Sequence, residues 1–90
     1  MTGAASAGAR VTVLYFAAVR ELVGCDEERV TAPADVATVG AFSAWIARVH
    51  PALAGRMSFV RVARNEAFAA ADDALADGDV LALIPPVAGG

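Results

Sequence analysis

Lysine is absent from this 90-residue chain, so its positive charge rests on seven arginines set against ten acidic residues, for a net charge of −3. The arginines are scattered, and no basic stripe exists to follow a phosphate backbone, which argues against nucleic acid as a partner. A single cysteine, Cys25, excludes an internal disulfide framework and suits a reducing cytoplasm, the expected location. Together with the only histidine, His50, it is too little for a metal cluster, so neither a metal nor a permanently bound cofactor is expected. Long apolar runs are missing too. The stretches around Val11 to Val19 and Val80 to Val87 fall far short of the roughly 20 residues that a membrane span needs, so no membrane partner is expected. The opening Met1 to Arg10 has neither a cationic start nor a long apolar middle, so it does not read as a secretory signal. It is expected to be a disordered leader, residues 1–10.

What remains is a short, alanine-rich, apolar sequence. Hydrophobic residues make up 58% of it, but alanine buries little area per residue, so the core should be thin and single. The run VTVLYF from Val11 to Phe16 is β-branched and aromatic and predicts a first strand. AAVRELV, from Ala17 to Val23, favours a helical turn that Gly24 can end, and Glu27 to Thr31 predicts a second, more exposed strand stopped by Pro33. The clearest helix runs from Val36 or Thr38 to His50, because Val39, Phe42, Ile46 and Val49 form a core-facing stripe that Trp45 broadens. Asp35 or Thr38 is its N-cap, and Pro51 closes it. FVRVAR from Phe59 to Arg64 alternates as a strand, Asn65 and Glu66 make a turn, and Ala67 to Ala69 form a short return. LADGD from Leu75 to Asp79 turns into VLALI, Val80 to Ile84, which reads as a buried strand ended by Pro85 and Pro86. The expected architecture is α+β, with one main helix crossing one face of a small mixed sheet and a domain spanning residues 11–84.

The chemistry points to the end of the chain, IPPVAGG. A proline pair stops the last strand, and the sequence closes on two glycines. Without a Cβ, Gly89 and Gly90 can pass a constriction and bring the terminal carboxylate against a reacting group. Extended, residues 85–90 reach about 20 Å. Pro85, Pro86, Val87, Ala88 and Gly89 are therefore candidate tail and partner-binding residues, with Gly90 as the working end. The competing bland reading is a flexible terminus that happens to finish in glycines.

YFAAVRELVG (Tyr15 to Gly24), the turn at Asn65, LADGD and LIPPVAGG (Leu83 to Gly90) together give a nearly full-length resemblance to the small subunit of molybdopterin synthase, a ubiquitin-like sulfur carrier of β-grasp fold. The resemblance implies that a ubiquitin-activating-like enzyme uses ATP to adenylate Gly90. Sulfur from a donor such as a cysteine desulfurase or a rhodanese then makes a thiocarboxylate. It further implies that the tail enters the large synthase subunit, in a heterotetramer of two small and two large subunits, and donates sulfur to a cyclic pyranopterin phosphate to form the molybdopterin dithiolene. The chain would thus be a carrier and not an enzyme alone. Arg64 stands where many such proteins place an apolar residue, which leaves the register of the hairpin open.

Three other functions compete: a sulfur carrier for thiamine thiazole or cysteine synthesis, a protein modifier forming isopeptide bonds, and a plain interaction domain. Without lysine, side-chain-linked chains of a modifier could not form. Among single residues, Cys25 reads as a small hydrophobe, His50 as a helix cap, and Asp77 and Asp79 as turn residues. Tyr15, Phe16, Phe59 and Phe68 could form an exposed contact patch for a large subunit, but aromatics of short strands are more often core, and the core is the expectation. Arg20 and Glu21 read as a solvated helix surface, and Arg61 and Arg64 as cations able to face an acidic partner.

Overall fold

The computed structural model describes residues 7–86. In chain order these form β1 (Ala7–Tyr15), α1 (Ala17–Val23), β2 (Glu27–Pro33), α2 (Val39–Val49), β3 (Arg61–Arg64), β4 (Ala67–Phe68) and β5 (Val80–Ile84), with two short 3-10 turns at Pro51–Leu53 and Met57–Phe59. The sheet order is β2-β1-β5-β3-β4. The last strand therefore occupies the centre, parallel to β1 and antiparallel to β3, while β1–β2 and β3–β4 are antiparallel hairpins.

Strand alternation decides which side chains go inside. Val11, Val13 and Tyr15 of β1, Val62 of β3, and Leu81 and Leu83 of β5 share one core with Val39, Phe42 and Ile46 of α2 and with Leu53. Burying each large apolar side chain contributes roughly 1.5–3 kcal/mol. Of the two N-cap candidates the structure selects Thr38, whose Oγ1 accepts the Ala41 N–H at 3.1 Å. The N–H groups of Val39 and Gly40 reach the carbonyls of Asp73 and Ala71, so the 71–73 loop satisfies donors that a helix start otherwise leaves open. Gly24 ends α1 in the left-handed conformation at φ 96°.

Five expectations need correction. Ala7–Arg10 are part of β1 and so do not belong to the leader expected over residues 1–10, and residues 1–6 lie outside the described residues. Small residues there permit close backbone approach: a Cβ on Gly8 would collide with the carbonyl oxygens of Ala32 and Pro33. Correspondingly β2 runs on to Pro33, which an edge strand tolerates at its end. Val49 is 42% exposed instead of completing the helical stripe, and Leu53, in the turn after the helix, is fully buried. The strand expected from Phe59 begins at Arg61, because the N–H groups of Phe59 and Val60 are taken by the local carbonyls of Arg56 and Met57. Phe16, Phe59 and Phe68 lie outside the core at 45%, 67% and 59% exposure, whereas Tyr15 is buried as expected.

Candidate functional site at the root of the tail

Because β5 is parallel to β1, with Leu83 beside Tyr15, both strands finish at the same end of the sheet. Ile84 faces Arg61 at the start of β3, so Pro85 and Pro86 leave the fold where Phe16, Ile84 and Arg61 converge. Of the candidate tail residues, Pro85 is half-buried and Pro86 exposed. Val87, Ala88, Gly89 and Gly90 lie outside the described residues.

The face of the sheet away from α2 is apolar as well. Leu14, Phe16, Phe68, Val80, Ala82 and Ile84 line an open groove of about 630 Å³ that runs to the root of the tail. Sequence reasoning named Phe16 and Phe68 within a possible contact patch but ranked the core reading above it, and did not single out the aliphatic residues of this groove. Its signal was present in VTVLYF and VLALI, where the outward as well as the inward positions are largely apolar, as in strands covered on both faces. At one end of the groove Phe16 precedes Ala17, whose φ of 50° is unusual for a residue with a Cβ and directs the chain into α1. The Arg61 guanidinium lies 3.8 Å from the centre of the Phe68 ring, holding that exposed aromatic by a cation–π contact.

At the groove's other end a polar network fixes the β3–β4 hairpin to β5. Asn65 and Glu66 have φ of 53° and 74°, the two positive values that a two-residue type I′ hairpin requires. Ala63 pairs with Phe68 and Arg64 with Ala67, so the register left open by Arg64 is a tight two-residue turn. Asn65 Nδ2 donates to Asp79 at 2.9 Å and its Oδ1 accepts the Val80 N–H at 2.9 Å. Asp79 also accepts the Ala76 N–H at 2.8 Å, and Arg64 Nη1 approaches it at 3.6 Å. Burial alone would raise the Asp79 carboxyl, but the donors Asn65 and Ala76, with the Arg64 guanidinium, outweigh it and hold its pKa below the usual range. Asp77 accepts the Arg10 N–H at 2.7 Å, which ties the turn before β5 to β1.

A second cluster lies on the inner side, where Tyr15 donates to Glu28 at 2.7 Å and His50 Nε2 meets the same carboxylate oxygen at 2.8 Å. Burial, then the hydrogen bond to Glu28, raises the Tyr15 hydroxyl well above its ordinary range. Glu28 is lowered: the bonds from His50 and Tyr15 more than offset its burial. This cluster ties β1, β2 and the end of α2 together, with His50 as the helix C-cap. Cys25 is exposed in the turn after α1. No helix among the described residues is long and apolar enough to cross a membrane, and no cluster of three or more potential metal ligands occurs among them.

A five-stranded mixed sheet packed on one main helix, with the last strand at its centre, defines the β-grasp, ubiquitin-like class. Within it the chain belongs to the ThiS family, whose profile matches residues 13–90 and so extends to the final glycine. The molybdopterin synthase sulfur carrier subunit of Escherichia coli is 42% identical over 82 residues, covering 89% of this chain and 99% of that protein. The protein of the same description from Chlamydomonas reinhardtii is 39% identical over 83 residues, covering 90% and 99%. Among solved structures, SAMP1 from Haloferax volcanii, a small archaeal modifier protein, is similar at TM-score 0.79 and 36% identity, covering 90% of this chain and 99% of that one.

Proposed function

We propose that the protein is the sulfur carrier subunit of a molybdopterin synthase and that the carboxyl group of Gly90 carries the sulfur. The observation that carries this reading is the placement of Pro85 and Pro86 at the end of the central strand, in a chain that matches the ThiS family through residue 90. A carboxylate is a poor acyl donor. An activating enzyme of the ubiquitin-activating kind therefore joins it to the adenylyl group of ATP, with release of pyrophosphate. A sulfur donor such as a cysteine desulfurase or rhodanese supplies the sulfur, AMP leaves, and Gly90 ends as a thiocarboxylate. The large synthase subunit, in an assembly of two small and two large subunits, takes in Val87, Ala88, Gly89 and Gly90 and uses the sulfur to build the dithiolene on a cyclic pyranopterin phosphate. ATP is a co-substrate of the activating enzyme, and this chain holds no cofactor of its own. The described residues supply no catalytic group to this scheme. They supply the apolar groove on which a partner is held while the tail reacts.

The test is the intact mass after incubation with ATP, a sulfur donor and the activating enzyme. A gain of about 16 Da, one oxygen exchanged for sulfur, is expected for the full chain and not for one lacking Gly90. No gain with an enzyme that visibly releases pyrophosphate overturns the reading. The likeness to SAMP1 favours one second reading, a protein modifier joined through Gly90 to lysines of other proteins. That reading predicts conjugates of higher mass in place of the thiocarboxylate. Either function engages the same end of the chain.

A further inference from the structure

On the α1 side of the tail root lies a second cleft, of about 460 Å³, separate from the sheet-face groove. Val19 and Leu22 of α1, Phe59, Pro85 and Pro86 form its apolar walls, and Arg56 is its only charged lining residue. Phe59 is 67% exposed, the most of any large apolar side chain among the described residues. Among the described residues it belongs neither to the core nor to the side chains packed against that core. Arg56 is exposed and makes no ion pair among the described residues. An apolar hollow with an uncompensated cation on its rim, in a chain of net charge −3, is complementary to an apolar side chain flanked by a carboxylate.

From this we infer that the cleft is a docking site for the entrance rim of the large synthase subunit, which inserts an apolar side chain beside Phe59 and sets a carboxylate against Arg56. The inference rests on the sulfur-carrier reading. Its geometric basis is covalent continuity: a protein that takes in residues 87–90 must bring its rim against Pro85 and Pro86, and those prolines are walls of this cleft. The tail root would then be gripped from both sides, by the sheet-face groove and by this cleft. Two grips fix the direction in which the tail points, which one flat apolar face cannot do. Phe59 and Arg56 act here as positioning residues.

The experiment measures binding of the purified large subunit from the same organism to the full chain and to its Arg56→Glu and Phe59→Ser variants, with thermal unfolding of each. Both side chains are exposed, so the unfolding midpoints should match the parent. Expected are at least tenfold weaker binding for each variant and a flatter salt dependence for Arg56→Glu, because the screened attraction is gone. Kd values within twofold of the parent overturn the inference. So does an unchanged Kd accompanied by a raised KM in the adenylation assay, which would assign the cleft to the activating enzyme. Failure of the parent chain itself to bind the large subunit would instead overturn the sulfur-carrier reading.

Discussion

The two faces of the sheet are built by the same strands, and alternate residues of one short sequence supply both. Inward, Val13, Tyr15, Leu81 and Leu83 are almost wholly shielded by α2 and Leu53. Outward, Leu14, Val80, Ala82 and Ile84 are apolar too, but no element among the described residues covers them, and Phe16 and Phe68 stand exposed beside them. In a chain with so thin a core, leaving aromatic area in water forgoes stability that burial would supply. The difference separates two jobs: the inner face makes the fold, and the outer face with the tail root is available to a partner. Variants on one face should change stability and leave recognition alone, and variants on the other should do the reverse.

The sharpest separation is expected at the end of the chain. Loss of Gly90 should abolish sulfur transfer, read by intact mass, while the unfolding midpoint stays within a degree or so of the parent, because the buried core cluster is built from residues 11–83. Unfolding of that variant would break the comparison. On the inner face, Phe42 is fully buried in the middle of α2, and Phe42→Ala should cost about 3–5 kcal/mol in urea unfolding. For a domain whose whole stability is about 5–15 kcal/mol, that is close to the limit of folding. On the outer face, Phe68→Ala should alter stability by no more than about 0.5 kcal/mol. It should nevertheless weaken binding of the large subunit about tenfold, since exposed aromatics in a groove are where interfaces concentrate their energy. A large loss of stability at Phe68 would show that the outer face also supports the fold.

Much of the fold was legible in the sequence, and the failures have physical causes. The order of elements, the helix stripe at Val39, Phe42 and Ile46, the turn at Asn65 and the stop at Pro85 followed from local rules, since periodicity and proline chemistry act over a few residues. Phe16, Phe59 and Phe68 were misplaced because apolar character reveals a wish to be buried without saying by what. A surface reserved for another protein carries the same signal as a core. The β1 start at Ala7 was missed because alanine and glycine read as loop, whereas Gly8 is in the sheet for the close approach of Pro33 that its missing Cβ permits. The cleft around Arg56 joins α1, the loop before β3 and the chain after β5, a meeting that only the tertiary fold creates.

Acid should weaken both polar clusters alike. Asp79 has a depressed pKa, so its stabilisation is present above the unfolded carboxyl value and is lost as pH falls through the folded one. Glu28, also depressed, acts with the same sign. Stability should therefore decline as pH drops below about 4, the ordinary carboxylate range. Asp79→Ala should cost about 1–3 kcal/mol at neutral pH, because the Asn65 amide and the Ala76 N–H lose their acceptor. It should also flatten the acid decline, leaving the part due to Glu28. An unchanged acid profile would mean that the network at the hairpin contributes no charge-dependent stability.

The smallest expected effect lies where the two jobs meet, at Glu66. Its φ of 74° is the second positive value of the type I′ turn, a position that favours glycine, and its side chain also lines the outer groove. Glu66→Gly relieves the steric cost of the left-handed conformation but gives the unfolded chain more freedom, so the net gain should be only about 0.5 kcal/mol. If Glu66 serves the turn alone, large-subunit binding stays within twofold of the parent while the unfolding midpoint rises by a few degrees. Tighter binding would mean that its carboxylate repels an acidic partner surface, and weaker binding that it meets a donor there. Either shift would draw the boundary of the docking face through the hairpin, and no shift would leave Phe68 as its limit on that side.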